Sequence, residues 1–228
     1  MATNKRLKKN DILLGHIELT KKQTEFLKIL TNTKTRVVFL KGPAGTSKSL
    51  LSVYAALQLW NVNRDLSIFY LRSVVESADR GLGFLKGDID DKVEPYIAPL
   101  MDKISELLSD TEQSELKKSG SLEGGPINFL RGQSWRDKVV IVDEAQNLSQ
   151  RELTTVMTRV GRDTKLYVCG DPMQSDIKNS GFVDFFNLFD DTESQDNGIY
   201  CLQFTKSDIM RDAIVSYIVD KIEKYNKK

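Results

Sequence analysis

Histidine and cysteine are scarce in this sequence of 228 residues, which contains one histidine and two cysteines. This scarcity argues against multi-histidine metal sites and against Ser-His or Cys-His catalysis, and only a triad built on His16 would remain. Cys169 and Cys201 are too few and too far apart for a disulfide framework or a cysteine-based zinc site. We therefore expect the chemistry to depend on Lys, Arg, Asp, Glu, Ser and Thr side chains and on backbone amides, with or without a bound metal.

A large net charge and a long hydrophobic run are also missing. The 33 basic and 32 acidic side chains leave a net charge of +1, which excludes a strongly basic nucleic-acid binder but not a local basic patch. No apolar run reaches the ~20 residues of a membrane span, and residues 1–10 are too polar for a signal peptide. We expect a cytoplasmic protein that has no membrane partner.

Strand-like and helical segments alternate along most of the chain. Short apolar runs predict strands at Arg36–Leu40, Ser67–Leu71, Pro126–Leu130, Lys138–Glu144, Lys165–Asp171 and Ile199–Phe204. Helical spacing predicts helices after Thr20, over Ser49–Trp60, from Ser149 and from Ser207. This alternation predicts an α/β fold with a parallel sheet and right-handed crossovers, and the uniformly apolar strands predict helices on both faces of the sheet.

Residues 74–125 interrupt the alternation. Pro95, Pro99 and the polar stretch after them favour short helices, and Gly120–Pro126 predicts a turn-rich exit. We therefore expect a basic tail at residues 1–18 and a single domain at 19–228 that contains a helical insertion at about 74–125. The tail is interpreted as a solvated end, with an arm that touches nucleic acid as the alternative.

A glycine-rich loop joins the first predicted strand to its helix and reads GPAGTSKS. The pattern GxxxxGK[ST] is matched in register at Gly42, Lys48 and Ser49. Backbone N–H groups in such a loop, together with the dipole of the following helix, bind the phosphates of a nucleotide. Lys48 would supply a positive charge to the phosphates and Ser49 a hydroxyl to Mg²⁺. The candidate nucleotide-binding residues of this phosphate loop are Gly42, Pro43, Ala44, Gly45, Thr46, Ser47, Lys48 and Ser49.

The phosphate loop departs from the pattern at Ser47, where glycine is expected immediately before the lysine. A serine there restricts the backbone and adds a side chain beside the phosphates. We expect nucleotide binding to survive this change, whereas the rate of hydrolysis is more sensitive to it.

Acidic and polar residues lie at the carboxyl ends of two of the predicted strands. Asp143 and Glu144 come directly after four aliphatic residues, while Asp171 ends the next strand and Gln174 follows it. At the carboxyl edge of a parallel sheet these side chains would face the phosphate loop. Asp143 would hold the water shell of Mg²⁺, and Glu144 would act as general base toward the attacking water. Asp171 and Gln174 are placed to sense the γ-phosphate or that water.

Five motifs, which follow one another along the chain in the family's order, resemble the PhoH family of P-loop ATPases, which are relatives of the superfamily-one helicase core. The phosphate loop is similar to GPAGTGKT, VIVDEAQN to VILDEAQN, and CGDPMQSD to TGDxxQxD. The stretch that contains LGFLKGD is similar to a family segment that begins with an arginine, matched by Arg72. FTKSDIMRDAIV resembles the closing motif and aligns Arg211 with its arginine. The resemblance covers roughly Leu19 to the C-terminus.

The resemblance implies a RecA-like P-loop NTPase fold, Mg²⁺-dependent ATP hydrolysis and an association with RNA or single-stranded nucleic acid, in a helicase-like or remodelling role. It also implies a catalytic role for Arg211 and an adenine-reading role for Gln23, for which a solvated helix residue is the alternative. Short members of this type are often encoded by phages, in which case the host cytoplasm is the expected location.

Two other classes of function stay open. One is a P-loop phosphotransferase, a kinase, against which Glu144 argues because a water-activating carboxylate would waste ATP. The other is an ATP-gated binding module without catalysis, which Ser47 keeps open. A lone RecA-like domain has only half of the usual interdomain ATP site, so translocation would require a homo-oligomeric ring, such as a hexamer. Arg211, Arg159 and Arg162 are the candidates to reach the next subunit's γ-phosphate, with ordinary surface arginines as the alternative.

Overall fold

The computed structural model describes residue 12, residues 14–15, 17–73, 89–127 and 134–210, and six residues beyond them, which are Ile214, Tyr217, Ile218, Lys221, Ile222 and Tyr225. Arg211, His16 and most of the predicted basic tail lie outside the described residues. Within the described part of the chain, no helix is both long enough and apolar enough to cross a membrane.

A parallel sheet forms the centre of the described structure. Its strands are β1 (Val37–Lys41), β2 (Ser67–Arg72), β3 (Leu122–Pro126), β4 (Lys138–Asp143), β5 (Lys165–Gly170) and β6 (Ile199–Gln203). They lie in the order β3-β2-β4-β5-β1-β6, and each neighbouring pair is parallel. The phosphate-loop strand β1 therefore lies beside β5, and β5 lies beside the acidic strand β4.

Helices connect and cover the strands. They are α1 (Lys21–Thr31), α2 (Lys48–Val62), α3 (Ile89–Leu107), α4 (Asp110–Lys118), α5 (Gln150–Met157), α6 (Phe182–Leu188) and α7 (Thr192–Asp196). Capping boxes fix several helix starts: Thr20 pairs with Gln23 at α1, and Ser149 pairs with Glu152 at α5. Each box satisfies backbone N–H groups that the first helical turn leaves without a partner.

Two apolar cores lie on opposite faces of the sheet. Val139 and Ile141 of β4 pack into the first core, together with residues of α1, α2 and α3. Val140 and Val142 of the same strand pack into the second core, with residues of α5 and α6. Because alternate side chains of a strand point to opposite faces, a strand covered on both faces must be apolar throughout. The predicted α/β fold with a mostly parallel, helix-covered sheet is confirmed.

The predicted turn-rich exit at Gly120–Pro126 is wrong, because Leu122–Pro126 forms the edge strand β3 beside β2. A Cβ at Gly124 would overlap Ile97 of α3, so the glycine that resembled a turn residue instead allows a helix to pack closely on the strand. Of the strand predicted at Pro126–Leu130, Pro126 ends β3, and the residues after Ile127 lie outside the described part.

The short helices predicted around Pro95 and Pro99 are also wrong, since α3 is one helix of 19 residues that contains both prolines. Its buried residues Leu100, Ile104 and Leu107 recur at helical spacing and pack into the first core. This tertiary packing stabilises the helix in spite of the prolines.

Candidate nucleotide-binding site

A cavity of about 500 Å³ lies at the carboxyl edge of the sheet, beside the phosphate loop. We call it the central cavity. Nine of the predicted site residues line it, namely Ala44, Gly45, Ser47, Lys48, Ser49, Asp143, Glu144, Asp171 and Gln174. Residues far apart in sequence meet here because β1, β4 and β5 are parallel and end at the same edge.

The phosphate loop turns sharply into α2. Gly45 and Ser47 both have left-handed backbones, with φ angles of 82° and 61°. Ser47 is the N-cap residue of α2, and its side chain makes no capping hydrogen bond. Thr46 is fully buried, and its hydroxyl donates to the Pro43 carbonyl oxygen at 2.9 Å. The loop thus presents the amino end of α2 to the central cavity.

Lys48 lies within this loop. Its ammonium donates to the carbonyl oxygens of Gly42 at 2.7 Å and Pro43 at 2.9 Å. Burial lowers the pKa of Lys48, and the negative charge of Asp171 is the largest of the effects that oppose this shift. A phosphate would give this partly desolvated ammonium a charged partner.

Asp143 at the end of β4 is directly bonded to the phosphate-loop helix. The Ser49 hydroxyl donates to Asp143 Oδ1 at 2.6 Å, and the Glu144 N–H donates to the same oxygen at 3.1 Å. The Tyr70 hydroxyl of β2 donates to the other oxygen, Oδ2. Asp143 is 7% exposed. The hydroxyl and the carboxylate that the sequence predicts around Mg²⁺ are therefore neighbours.

Glu144 follows Asp143 with a left-handed backbone, at φ 55°. Its Oε2 accepts a hydrogen bond of 2.6 Å from the Gln146 side-chain amide. Its Oε1 lies 3.8 Å from Nη2 of Arg72, and both side chains are more than a third exposed. The carboxylate is thus oriented by an amide and accessible to water.

Gln146 joins three parts of the site. Besides its bond to Glu144, its Oε1 accepts from the Asp171 N–H at 3.0 Å, and its Nε2 lies 3.4 Å from the Gln174 carbonyl oxygen. It is almost fully buried. The sequence places Gln146 in the DEAQN motif but predicts no role for it. Its position two residues after the proposed general base Glu144 is the signal from which a positioning role could be inferred.

Asp171 and Gln174 both line the central cavity. Asp171 Oδ1 accepts from the Met173 N–H at 3.0 Å and so caps the short turn that follows β5. Gln174 is exposed at the end of that turn. Of the two, Gln174 has the side chain that is better exposed to a ligand.

Gln23 does not line the central cavity. It is 1% exposed, so the alternative of a solvated helix residue is wrong. Its Oε1 accepts from the Thr20 N–H at 3.0 Å, and its Nε2 donates to the Thr46 carbonyl oxygen at 3.5 Å. Gln23 thus connects α1 to the buried side of the phosphate loop.

The candidate arginines lie in different places. Arg211 is outside the described residues, although its neighbour Met210 lines the central cavity and donates its N–H to the Gly45 carbonyl oxygen at 3.1 Å. The carbonyl oxygens of Arg159 and Arg162 accept from backbone N–H groups just before β4. Those two arginines therefore lie toward the amino edge of the sheet, away from the cavity of their own chain.

Three further residues at the site were not predicted from the sequence. Lys103 and Glu106 of α3 line the central cavity, and Tyr70 contacts Asp143 beneath it. Lys103 and Glu106 lie near the phosphate loop because the insertion packs against α2. No local sequence pattern predicts that packing. Tyr70 lies in an apolar run that predicts only a buried strand, so the sequence assigns it no separate role.

A family model described as PhoH-like protein matches residues 17–223 of the chain. The chain belongs to the PhoH family. PhoH-like proteins of Synechocystis sp. and Bacillus subtilis are 33% and 32% identical to it, over 208 and 190 residues, and Protein PhoH of Escherichia coli is 30% identical over 197 residues. These alignments cover 90%, 83% and 84% of this chain but 61%, 59% and 54% of the relatives, so this PhoH-family chain spans little more than half of their length.

Solved structures of other families are similar to the PhoH-family chain. The large terminase of a thermophilic bacteriophage matches with a TM-score of 0.50 at 12% identity, covering 86% of this chain and 48% of the terminase. The Pif1 helicase of Candida albicans matches with a TM-score of 0.40 at 19% identity, covering 83% and 41% of the two chains. The terminase likeness shows a common fold.

Proposed function

We propose that this PhoH-family chain binds ATP with Mg²⁺ in the central cavity and hydrolyses it, in a manner coupled to RNA or single-stranded nucleic acid. The observation that carries the proposal is the 2.6 Å hydrogen bond between Ser49 of the phosphate loop and Asp143 of β4. It joins a phosphate-binding loop to a carboxylate at one cavity, where Lys48 and Glu144 also lie.

The oxygens of Ser49 and Asp143 fit Mg²⁺, a hard cation that takes oxygen ligands and is usually held by one or two protein groups together with water and substrate phosphates. Within the described residues, no group of three or more His, Cys, Asp and Glu side chains could hold a metal ion. A nucleotide would therefore complete the coordination. When bound, Mg²⁺ would neutralise charge on the β- and γ-phosphate oxygens.

The chain's own residues would bind the phosphates and activate the attacking water. Lys48 and the amides of the phosphate loop would hold the phosphates at the amino end of α2. Glu144, oriented by Gln146, would accept a proton from water while that water attacks the γ-phosphorus. The bond from phosphorus to the ADP oxygen breaks, which gives ADP and phosphate. Gln174 would hold the attacking water or the γ-phosphate.

A second cavity supports the coupling to nucleic acid. It has a volume of about 450 Å³ and shares Asp171 with the central cavity. Lys41, the last residue of β1, and Lys206, which begins the short turn after β6, line this second cavity. Although the net charge of the chain is only +1, two lysines beside the phosphate loop are suited to a nucleic-acid backbone. A nucleic-acid strand bound in this second cavity would contact the segment that carries Asp171.

A homo-oligomeric ring, such as a hexamer, is part of the proposal. Four apolar residues near the C-terminus are about half exposed and recur at helical spacing, namely Ile214, Tyr217, Ile218 and Ile222. Such a stripe supports a subunit contact. In a ring, Arg211, Arg159 or Arg162 of one subunit would reach the γ-phosphate of the next.

The proposal is tested by measuring ATP hydrolysis with Mg²⁺ in the absence and presence of single-stranded RNA and single-stranded DNA. We expect basal hydrolysis that at least one of the two nucleic acids stimulates. Transfer of the γ-phosphate to a small acceptor without release of phosphate would favour a phosphotransferase. Tight ATP binding without turnover under either condition would favour a binding module.

A further inference from the structure

Tyr70 is a buried hydroxyl group to which the proposed mechanism gives no task. It lies on β2, is 0% exposed, and its ring belongs to the core that α2 and α3 cover. Its hydroxyl donates to Asp143 Oδ2, on the same side of the sheet as Ser49. A phenylalanine would fill this core equally well, so the hydroxyl calls for a separate explanation.

The carboxylate of Asp143 is held from two sides. Oδ1 accepts from the Ser49 hydroxyl and from the Glu144 N–H, while Oδ2 accepts from Tyr70. The phenol of Tyr70 carries its proton near neutral pH and can therefore donate this hydrogen bond. With Oδ2 bound in this way, rotation of the carboxylate would break a buried hydrogen bond.

We propose that Tyr70 is a positioning residue for the metal ion: by holding Oδ2 of Asp143, it keeps Oδ1 beside Ser49, where the Mg²⁺ of a bound nucleotide would be held. This inference rests on the proposed Mg²⁺–ATP function. Hydrogen-bonding partners behind a metal-binding group commonly change metal affinity by about 10- to 100-fold when they are removed.

The chain offers a matched control for the alternative, in which Tyr70 only fills the core. Tyr167 on β5 is also 0% exposed, and its hydroxyl donates to the Leu30 carbonyl oxygen at 2.8 Å. Tyr70→Phe and Tyr167→Phe each remove one buried hydroxyl from the same core. Both variants should unfold at a lower temperature than the wild type, but only the first touches the metal-binding group.

The experiment measures the affinity for a fluorescent ATP analogue as a function of Mg²⁺ concentration. We expect Tyr70→Phe to need about tenfold more Mg²⁺ for the half-maximal effect, at the lower end of the range for such partners. Its affinity without Mg²⁺ should stay within about twofold of wild type, because the phosphate loop is unchanged. Tyr167→Phe should require the same Mg²⁺ concentration as wild type.

An unchanged Mg²⁺ requirement in Tyr70→Phe would overturn the role of Tyr70 alone, provided that the wild type responds to Mg²⁺. A wild type whose nucleotide affinity ignores Mg²⁺ would overturn the proposed function as well. Should Tyr70→Phe fail to fold, 3-fluorotyrosine placed at position 70 keeps the hydroxyl and reports on it by ¹⁹F NMR. Its resonance should shift when Mg²⁺ is added to the ATP-bound protein, whereas a label at position 167 should not. A silent label at position 70 would also overturn the role.

Discussion

Two non-glycine residues of the candidate site, Ser47 and Glu144, have left-handed backbone angles, at φ 61° and 55°. Such a conformation costs about 1 kcal/mol or more for a residue with a side chain, and it persists only where the surrounding structure enforces it. At Glu144 the backbone is held by two hydrogen bonds, since its N–H donates to Asp143 Oδ1 and its carbonyl oxygen accepts from the Asn147 N–H. At Ser47 the side chain forms no cap, so the backbone strain there has no evident local compensation.

Ser47→Gly should therefore raise the rate of ATP hydrolysis more than the affinity for ATP. Relief of ~1 kcal/mol corresponds to several-fold in rate if the strain falls on the transition state. Asp163→Gly is the matched control, because Asp163 has φ 51° at an exposed turn far from the cavity. Single-turnover hydrolysis shows whether the substitution relieves strain or removes a ligand of the phosphates. A slower Ser47→Gly variant would mean that the serine hydroxyl is a working phosphate ligand.

Glu144→Gln should keep ATP bound and slow its hydrolysis by at least ~10²-fold, because the amide cannot accept the proton of the attacking water. Glu115→Gln makes the same chemical change at an exposed position of α4, outside the cavity, and should leave turnover near the wild-type value. ATP affinity and turnover are measured on both variants. If Glu144→Gln loses binding while turnover per bound ATP is kept, the carboxylate is structural.

The elements of the site differ in how well the sequence predicts them. The phosphate loop and the ends of β4 and β5 carry their chemistry in short motifs, and the structure brings those residues to one cavity. The helical character of α3 was predicted, but its continuity through two prolines and the edge strand β3 were not, because packing overrides local preference there. Ile97 packs against Gly124 of β3, and Leu100 and Ile104 hold α3 in the core. Lys103 reaches the cavity by the same packing.

Helix α1 provides a test of how the phosphate loop is supported. Thr20→Ala and Gln23→Ala both break the capping box, at a cost of about 1 kcal/mol each. Only Gln23→Ala also removes the contact with the Thr46 carbonyl oxygen. We expect Gln23→Ala to lower the affinities for ATP and GTP alike, and Thr20→Ala to lower neither. A selective loss of ATP over GTP in Gln23→Ala would instead favour the adenine-reading role that the family resemblance implies.

At the scale of the whole molecule, the proposed function requires a neighbouring subunit, because the described α/β fold would supply only a single face of the ATP site. We predict a homo-oligomer by light scattering, with turnover that rises with protein concentration. Mixing Lys48→Ala with Arg211→Ala should restore part of the activity that each lacks alone, because some interfaces would pair an intact phosphate loop with an intact arginine. A monomer with full activity and no dependence on concentration would contradict the ring.

The central claim is that ATP is hydrolysed at the phosphate loop, and the turnover of Lys48→Ala with Mg²⁺ tests it most directly. The account predicts weakened ATP binding and no measurable hydrolysis, because the phosphates lose the partly buried ammonium that faces them in the loop. Lys118→Ala, an exposed position at the end of α4, should hydrolyse ATP as the wild type does. Undiminished turnover in Lys48→Ala would contradict the account.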